Sequence, residues 1–171
     1  MIKLLNSLLL VTCLSFFFNS NNCFSQQIIK IDNHHLPTNK VLATNLQNVM
    51  TTTNITFINN NGIINNGNQN NTIIQLEIND LNFVNNLNIS DKNLVKSAII
   101  KIPMNFNSTI NLNTLNQLVN LNLIYLIVEN NIDDNELINS IIASNLNWII
   151  WCSLIGLPNA LRCLEYSNAN S

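Results

Sequence analysis

The chain has 171 residues, 47% of them hydrophobic and only 9% charged, with a formal net charge of −2. Its basic residues beyond the first few positions, Lys30, Lys40, Lys92, Lys96, Lys101 and Arg162, are scattered. A chain with no basic stripe lacks the electrostatic footprint of a nucleic-acid binder, so no nucleic-acid partner is expected. Glycine occurs only at Gly62, Gly67 and Gly156, which excludes a glycine-rich phosphate loop.

Residues 1–25 read as a secretory signal peptide. Lys3 supplies the positive front. Leu8-Leu9-Leu10-Val11 and Leu14-Ser15-Phe16-Phe17-Phe18 supply the apolar middle. Cys23 and Ser25 supply the small −3 and −1 residues of a cut before Gln26. Asn6, Ser7, Thr12 and Ser15 interrupt the apolar stretch, which falls short of the ~20 apolar residues a spanning helix needs. The expectation is a cleaved leader and a secreted product, extracellular or, from a bacterial source, periplasmic, with no stable membrane span after cleavage. Removal of Lys3 leaves six basic and nine acidic groups.

Residues 26–71 form a polar, Asn-rich N-terminal region, read as distinct from an α/β domain over 72–171. Asparagine makes up roughly a quarter of the chain, and Asn65 to Asn71 is of low complexity and reads as an exposed loop. A short helix is expected over Leu42 to Met50. Ile55-Thr56-Phe57-Ile58 reads as a strand, since β-branched and aromatic residues suit a pleated surface. Asn61-Gly62 is a turn signal, because both residues tolerate positive φ.

From Thr72 the pattern becomes regular. Four short apolar runs begin at Ile73, Ala98, Leu123 and Trp148, about 25 residues apart, and end at Ile78, Ile102, Val128 and Cys152. Their length and β-branched content favour strands over helices. Helix signals lie between them. Ser90 stands as a cap before Asp91, Leu94 and Val95. Leu112, Leu115, Leu118, Val119 and Leu121 recur at helical spacing. Asp133, Asp134 and Glu136 suit a cap and first turn before Leu137, Ile138, Ile141 and Ile142. Pro158 suits the first turn of a last helix reaching Tyr166. Strand, helix and strand in alternation predict an α/β fold with short parallel strands, either solenoid-like or a small open sheet.

The period and the residues within it resemble the leucine-rich repeat, whose core is L-x-x-L-x-L-x-x-N. Leu123, Leu126, Val128 and Asn131 fit that frame, as do Ile99, Ile102, Met104 and Asn107. Ile73, Leu76 and Ile78 fit its apolar positions, but Leu81 stands where Asn belongs. The fourth unit departs further, with Trp148 and Trp151 at large positions and Ser153 and Gly156 in place of leucine and asparagine. The resemblance covers residues 73–158. It implies one exposed face built from positions between the inward leucines: Glu77, Asn79, Asp80, Asn105, Phe106, Glu129 and Asn130.

Chemistry-bearing constellations are few. No Gly-x-Ser-x-Gly or Cys-x-x-Cys-His occurs, and His34-His35 lacks a third ligand, so neither metal nor cofactor is expected. Cys152 and Cys163 are a disulfide candidate in an oxidising compartment, worth ~2–3 kcal/mol. Asn54, Asn70, Asn88 and Asn107 head Asn-x-Ser/Thr sequons, acceptor sites in a eukaryotic secretory pathway. The reading that follows is a small secreted glycoprotein, a non-enzymatic binding or structural module for a protein or glycan ligand. The alternative is a small secreted hydrolase using the strand-end carboxylates Glu77, Asp80 and Glu129.

Overall fold

The computed structural model describes residues 27–31, 37–66, 70–129, 132–143 and 148–153. The signal-peptide segment and the helix expected after Pro158 lie outside them. Among these residues there are nine strands: β1 (Gln27–Lys30), β2 (Ile55–Asn59), β3 (Gly62–Asn66), β4 (Ile73–Glu77), β5 (Ser97–Ile102), β6 (Ile110–Asn111), β7 (Leu123–Val128), β8 (Ile141–Ile142) and β9 (Trp148–Ser153). Three α-helices accompany them among the described residues: α1 (Lys40–Thr51), α2 (Ile89–Leu94) and α3 (Asp134–Ser140). Two 3-10 helices span Ile78–Asn86 and Asn113–Gln117.

Seven strands form one sheet in the order β1-β9-β7-β5-β4-β2-β3, and β6 and β8 form a separate two-stranded one. Every pairing in the large sheet is parallel except β2 with β3. The fold is a small open α/β sheet in which β2, β4, β5, β7 and β9 lie side by side in chain order. The four apolar runs are its strands β4, β5, β7 and β9. Strand β1 returns to pair with β9, Gln27 opposite Trp148 and Lys30 opposite Trp151.

Both faces of the sheet are covered, and this is why its inner strands are apolar without alternation. All six residues of β7 are buried. On one face Ile74, Leu76, Ile100, Leu126 and Trp151 meet the segments that return from one strand to the next. On the other, Leu42, Leu46 and Val49 of α1 pack on Ile73, Ile99, Tyr125 and Ile150. Their spacing of four and three residues sets one helical stripe against the sheet.

The return segments differ from expectation in a way the leucine spacing explains. Leu112, Leu115, Leu118 and Leu121 are all buried, and each of the last three amides bonds the carbonyl three residues back, at 2.9 Å. Ile78, Leu81, Val84 and Leu87 repeat the same interval and are likewise buried. A strict interval of three is the 3-10 period, so these stretches form 3-10 turns where an α-helical spacing was expected.

Other local readings shift as well. The N-cap of α2 is Asn88, whose side chain accepts from the Asp91 amide at 2.7 Å, and Ser90 lies inside the first turn. The β2–β3 turn is Asn60-Asn61, with Gly62 at φ 131° opening β3. Asn65 and Asn66 belong to β3. Asn71 is buried and donates to Thr56 Oγ1 at 3.2 Å. The expected loop over 65–71 is therefore partly strand and partly buried anchor. The sheet also runs across the boundary drawn between residues 71 and 72, because β1, β2 and β3 are three of its seven strands.

Candidate binding site

In open parallel sheets the loops that follow the strands gather at the carboxyl edge, and ligands bind there. Among the described residues a cavity lies at that edge, beyond β5 and β7. Its floor is Ile102 and Val128, the register-paired last residues of these strands. Past Ile102 the chain turns through Pro103, and the Phe106 amide bonds the Pro103 carbonyl at 3.0 Å. Phe106, Asn107, Ser108 and Thr109 then form one wall, with Ile110 below them. The opposite wall is Ile132 and the α3 residues Glu136, Leu137 and Ser140. Its volume is about 290 Å³, and it is open to solvent on one side.

The walls are joined behind the cavity. Strand β6 pairs with β8, Ile110 opposite Ile141, and the Leu112 amide bonds the Ile142 carbonyl at 2.8 Å. Because β8 directly follows α3, this short sheet fixes the distance between the 106–110 loop and the helix. The three acids of the 133–136 cluster divide their roles. Asp133 caps α3, accepting from the Asn135 amide at 2.9 Å. Asp134 meets Lys30 Nζ at 2.8 and 3.0 Å. Glu136 is exposed at the cavity and is the one carboxylate among its described lining residues. The Ser140 hydroxyl is directed at the Leu137 carbonyl, 2.7 Å away. The result is an apolar floor with an amide, three hydroxyls, one aromatic ring and one carboxylate around it. Such a lining binds an apolar group and orients it through a few hydrogen bonds.

The residues expected to share a face are placed in different surroundings. Phe106 is half-buried in the cavity wall, with exposed Asn105 beside it in the turn. Glu77 ends β4, opposite Lys101 of β5. By strand alternation Glu77 faces the α1 side, away from the cavity. Glu129 directly follows cavity-facing Val128 and is half-buried, its amide bonded to the Ile102 carbonyl at 2.9 Å. Exposed Asn79 and half-exposed Asp80 lie in the first 3-10 helix. Asn130 lies outside the described residues. Strand β5 stands between Glu77 and the strand leading to Glu129, two strand spacings or about 10 Å. Among the described residues no hydrogen bond joins Glu77, Asp80 and Glu129, and no group of three His, Cys, Asp or Glu side chains is placed to hold a metal ion.

The four sequon asparagines, Asn54, Asn70, Asn88 and Asn107, are all exposed. Asn88 differs from the others, since its Nδ2, the atom a glycan would join, donates to Asp91 Oδ2 at 2.9 Å. Cys152 is buried on the α1 face, with its Sγ 3.1 Å from the Tyr125 hydroxyl, and Cys163 lies outside the described residues. Among the described residues no helix is long and apolar enough to cross a membrane. The sequence reading missed the cavity because Glu136 reads as a helix-start acid and Ser108-Thr109 only as part of a sequon. The signal for the 3-10 returns, leucine at every third position, was present in the sequence.

Comparison of the chain with models of protein families, with curated proteins and with solved structures finds no significant match.

Proposed function

We propose that this protein is a small secreted binding module that holds a protein or glycan ligand at the carboxyl edge of its sheet. The observation that supports the reading is the cavity between the 106–110 loop and α3, about 290 Å³ in volume and floored by Ile102 and Val128. Its size lies at the low end of ligand pockets, which suits one apolar side chain of a protein or one face of a sugar ring rather than a large cofactor. Phe106 offers a ring for such a group to stack on, while Asn107, Ser108 and Thr109 offer hydrogen bonds.

The test is binding of the purified protein to an immobilised panel of glycans and extracellular protein domains, followed by substitution. Phe106→Ala is expected to weaken a bound ligand about tenfold or more while the circular dichroism spectrum is unchanged. Glu77→Ala with Glu129→Ala is expected to leave binding intact. The reverse pattern would move the ligand surface to the α1 side and remove the cavity from the account. Intact mass of the protein from culture medium checks the secretory part of the proposal, with Gln26–Ser171 the expected chain.

A further inference from the structure

The sheet ends differently on its two sides. At one end β1 carries the exposed Lys30, a charge of the kind that keeps sheet edges apart. At the other end β3 pairs with β2 and, among the described residues, has no strand on its second side. Residues 41–76, which include all of β2 and β3 and nearly all of β4, contain no Asp, Glu, Lys, Arg, His or Pro. None of the charge or proline devices that blunt an edge strand is therefore present there. Ile64, in the middle of β3, is 56% exposed.

The register fixes which backbone groups are open. The two-residue turn closes on the pair Asn59 and Gly62, and antiparallel pairs alternate from that hydrogen-bonded one. Gly62, Ile64 and Asn66 thus bond to β2, and the N–H and C=O groups of Ile63 and Asn65 turn to the open side. The side-chain bond from Thr56 Oγ1 to Asn65 Oδ1, 2.7 Å, agrees with this, since side chains approach closest in the non-hydrogen-bonded pairs.

We propose that β3 is a self-pairing edge, through which two copies of this chain join antiparallel about a two-fold axis at Ile64. In that register Ile63 of one copy exchanges both hydrogen bonds with Asn65 of the second, and Asn65 with its Ile63. Ile64 meets Ile64 between them, in a non-hydrogen-bonded pair where side chains are closest. Pairing a strand with itself sets identical or near-identical residues opposite one another, and like charges there are repulsive. An uncharged strand escapes that cost, and it offers nothing to steer a charged peptide, so a second copy is the occupant it fits. A five-residue edge falls below the about 1,200 Å² of stable interfaces, so the dimer is reversible, with a dissociation constant on the order of 100 μM.

Sedimentation equilibrium of the purified protein across about 5 μM to 1 mM tests this. The expected result is a mass that rises with concentration towards twice the monomer and fits a monomer–dimer equilibrium. Ile64→Lys places two lysines face to face and is expected to weaken the dimer about tenfold or more, with part of the loss recovered in 1 M salt. Ile64→Thr keeps a β-branched, uncharged residue and is expected to retain the dimer. Thermal melts of both variants verify that the fold is kept. A monomer throughout the range, a mass that climbs past two copies, or an Ile64→Lys variant that dimerises like the parent would each overturn the proposal.

Discussion

Asparagine does identifiable structural work here one residue at a time. The side-chain oxygen of Asn39 accepts from the amides of Val41 and Leu42, at 3.0 and 3.2 Å, and opens α1. Asn59 accepts from the Asn61 amide at 2.9 Å in the β2–β3 turn. Asn111 accepts from the Asn113 amide at 3.1 Å where the second 3-10 helix begins. Each mimics a backbone turn, which is what a short amide side chain does well. Asn39→Ala is therefore expected to cost about 1 kcal/mol in urea denaturation. Asn48→Ala, at an exposed position inside α1, is expected to be neutral or slightly stabilising because alanine is the better helix former. Equal losses at both sites would mean that the Asn39 cap contributes nothing. The sequence showed the asparagines but did not distinguish the capping ones. Nearly every loop offers several, and only the backbone geometry selects which one caps.

Among the elements, the 3-10 returns pack buried Ile78, Leu81, Val84 and Leu115 against their face of the sheet. Leu115 is fully buried, while Val119, four residues on, is 71% exposed. Leu115→Ala is expected to destabilise by about 2–5 kcal/mol, and Val119→Ala by less than about 0.5 kcal/mol. An α-helical return would bury Val119 beside Leu115, one turn away, so the ratio of these two losses reports the 3-10 geometry in solution. The four strands β4, β5, β7 and β9 were legible because burial on both faces demands continuous apolar runs. Strands β1 and β3 were not legible. Only Ile28-Ile29 and Ile63-Ile64 are apolar in them, and an edge strand needs no more than that. The helix α1 was legible, but its partner was not, since nothing local says which face of a sheet a helix will cover. The same gap hid the cavity, whose wall joins loop 106–110 to α3 from more than twenty residues away in the chain.

For the molecule as a whole, the consequential contact is that of the first strand with the last. Gln27–Lys30 lies along Trp148–Trp151, and the Ile31 amide continues the ladder to the Trp151 carbonyl at 2.9 Å. Lys30 adds its ion pair to Asp134 and stands 4.9 Å from the centre of the Trp151 ring. With side chains 33% and 49% exposed, that ion pair contributes little, less than about 1 kcal/mol. The larger contributions come from Ile28 and Ile29, which pack on opposite faces of the sheet and join both apolar clusters. Strand β1 also covers the edge of β9, which has β7 on its other side. A chain starting at residue 32 is thus expected to lose about 3 kcal/mol of stability through the two isoleucines and the ladder. It is further expected to self-associate through the bared β9 edge. A chain starting at Gln26 keeps β1 and is expected to match the full-length protein in both respects. Urea titration and sedimentation of the two chains make the comparison. If the shorter one were as stable and as dispersed as the longer, β1 would be an ornament on a sheet already complete at β9. If it is neither, the polar N-terminal region and the regular repeat behind it fold as one unit, closed by a pairing that spans more than a hundred residues.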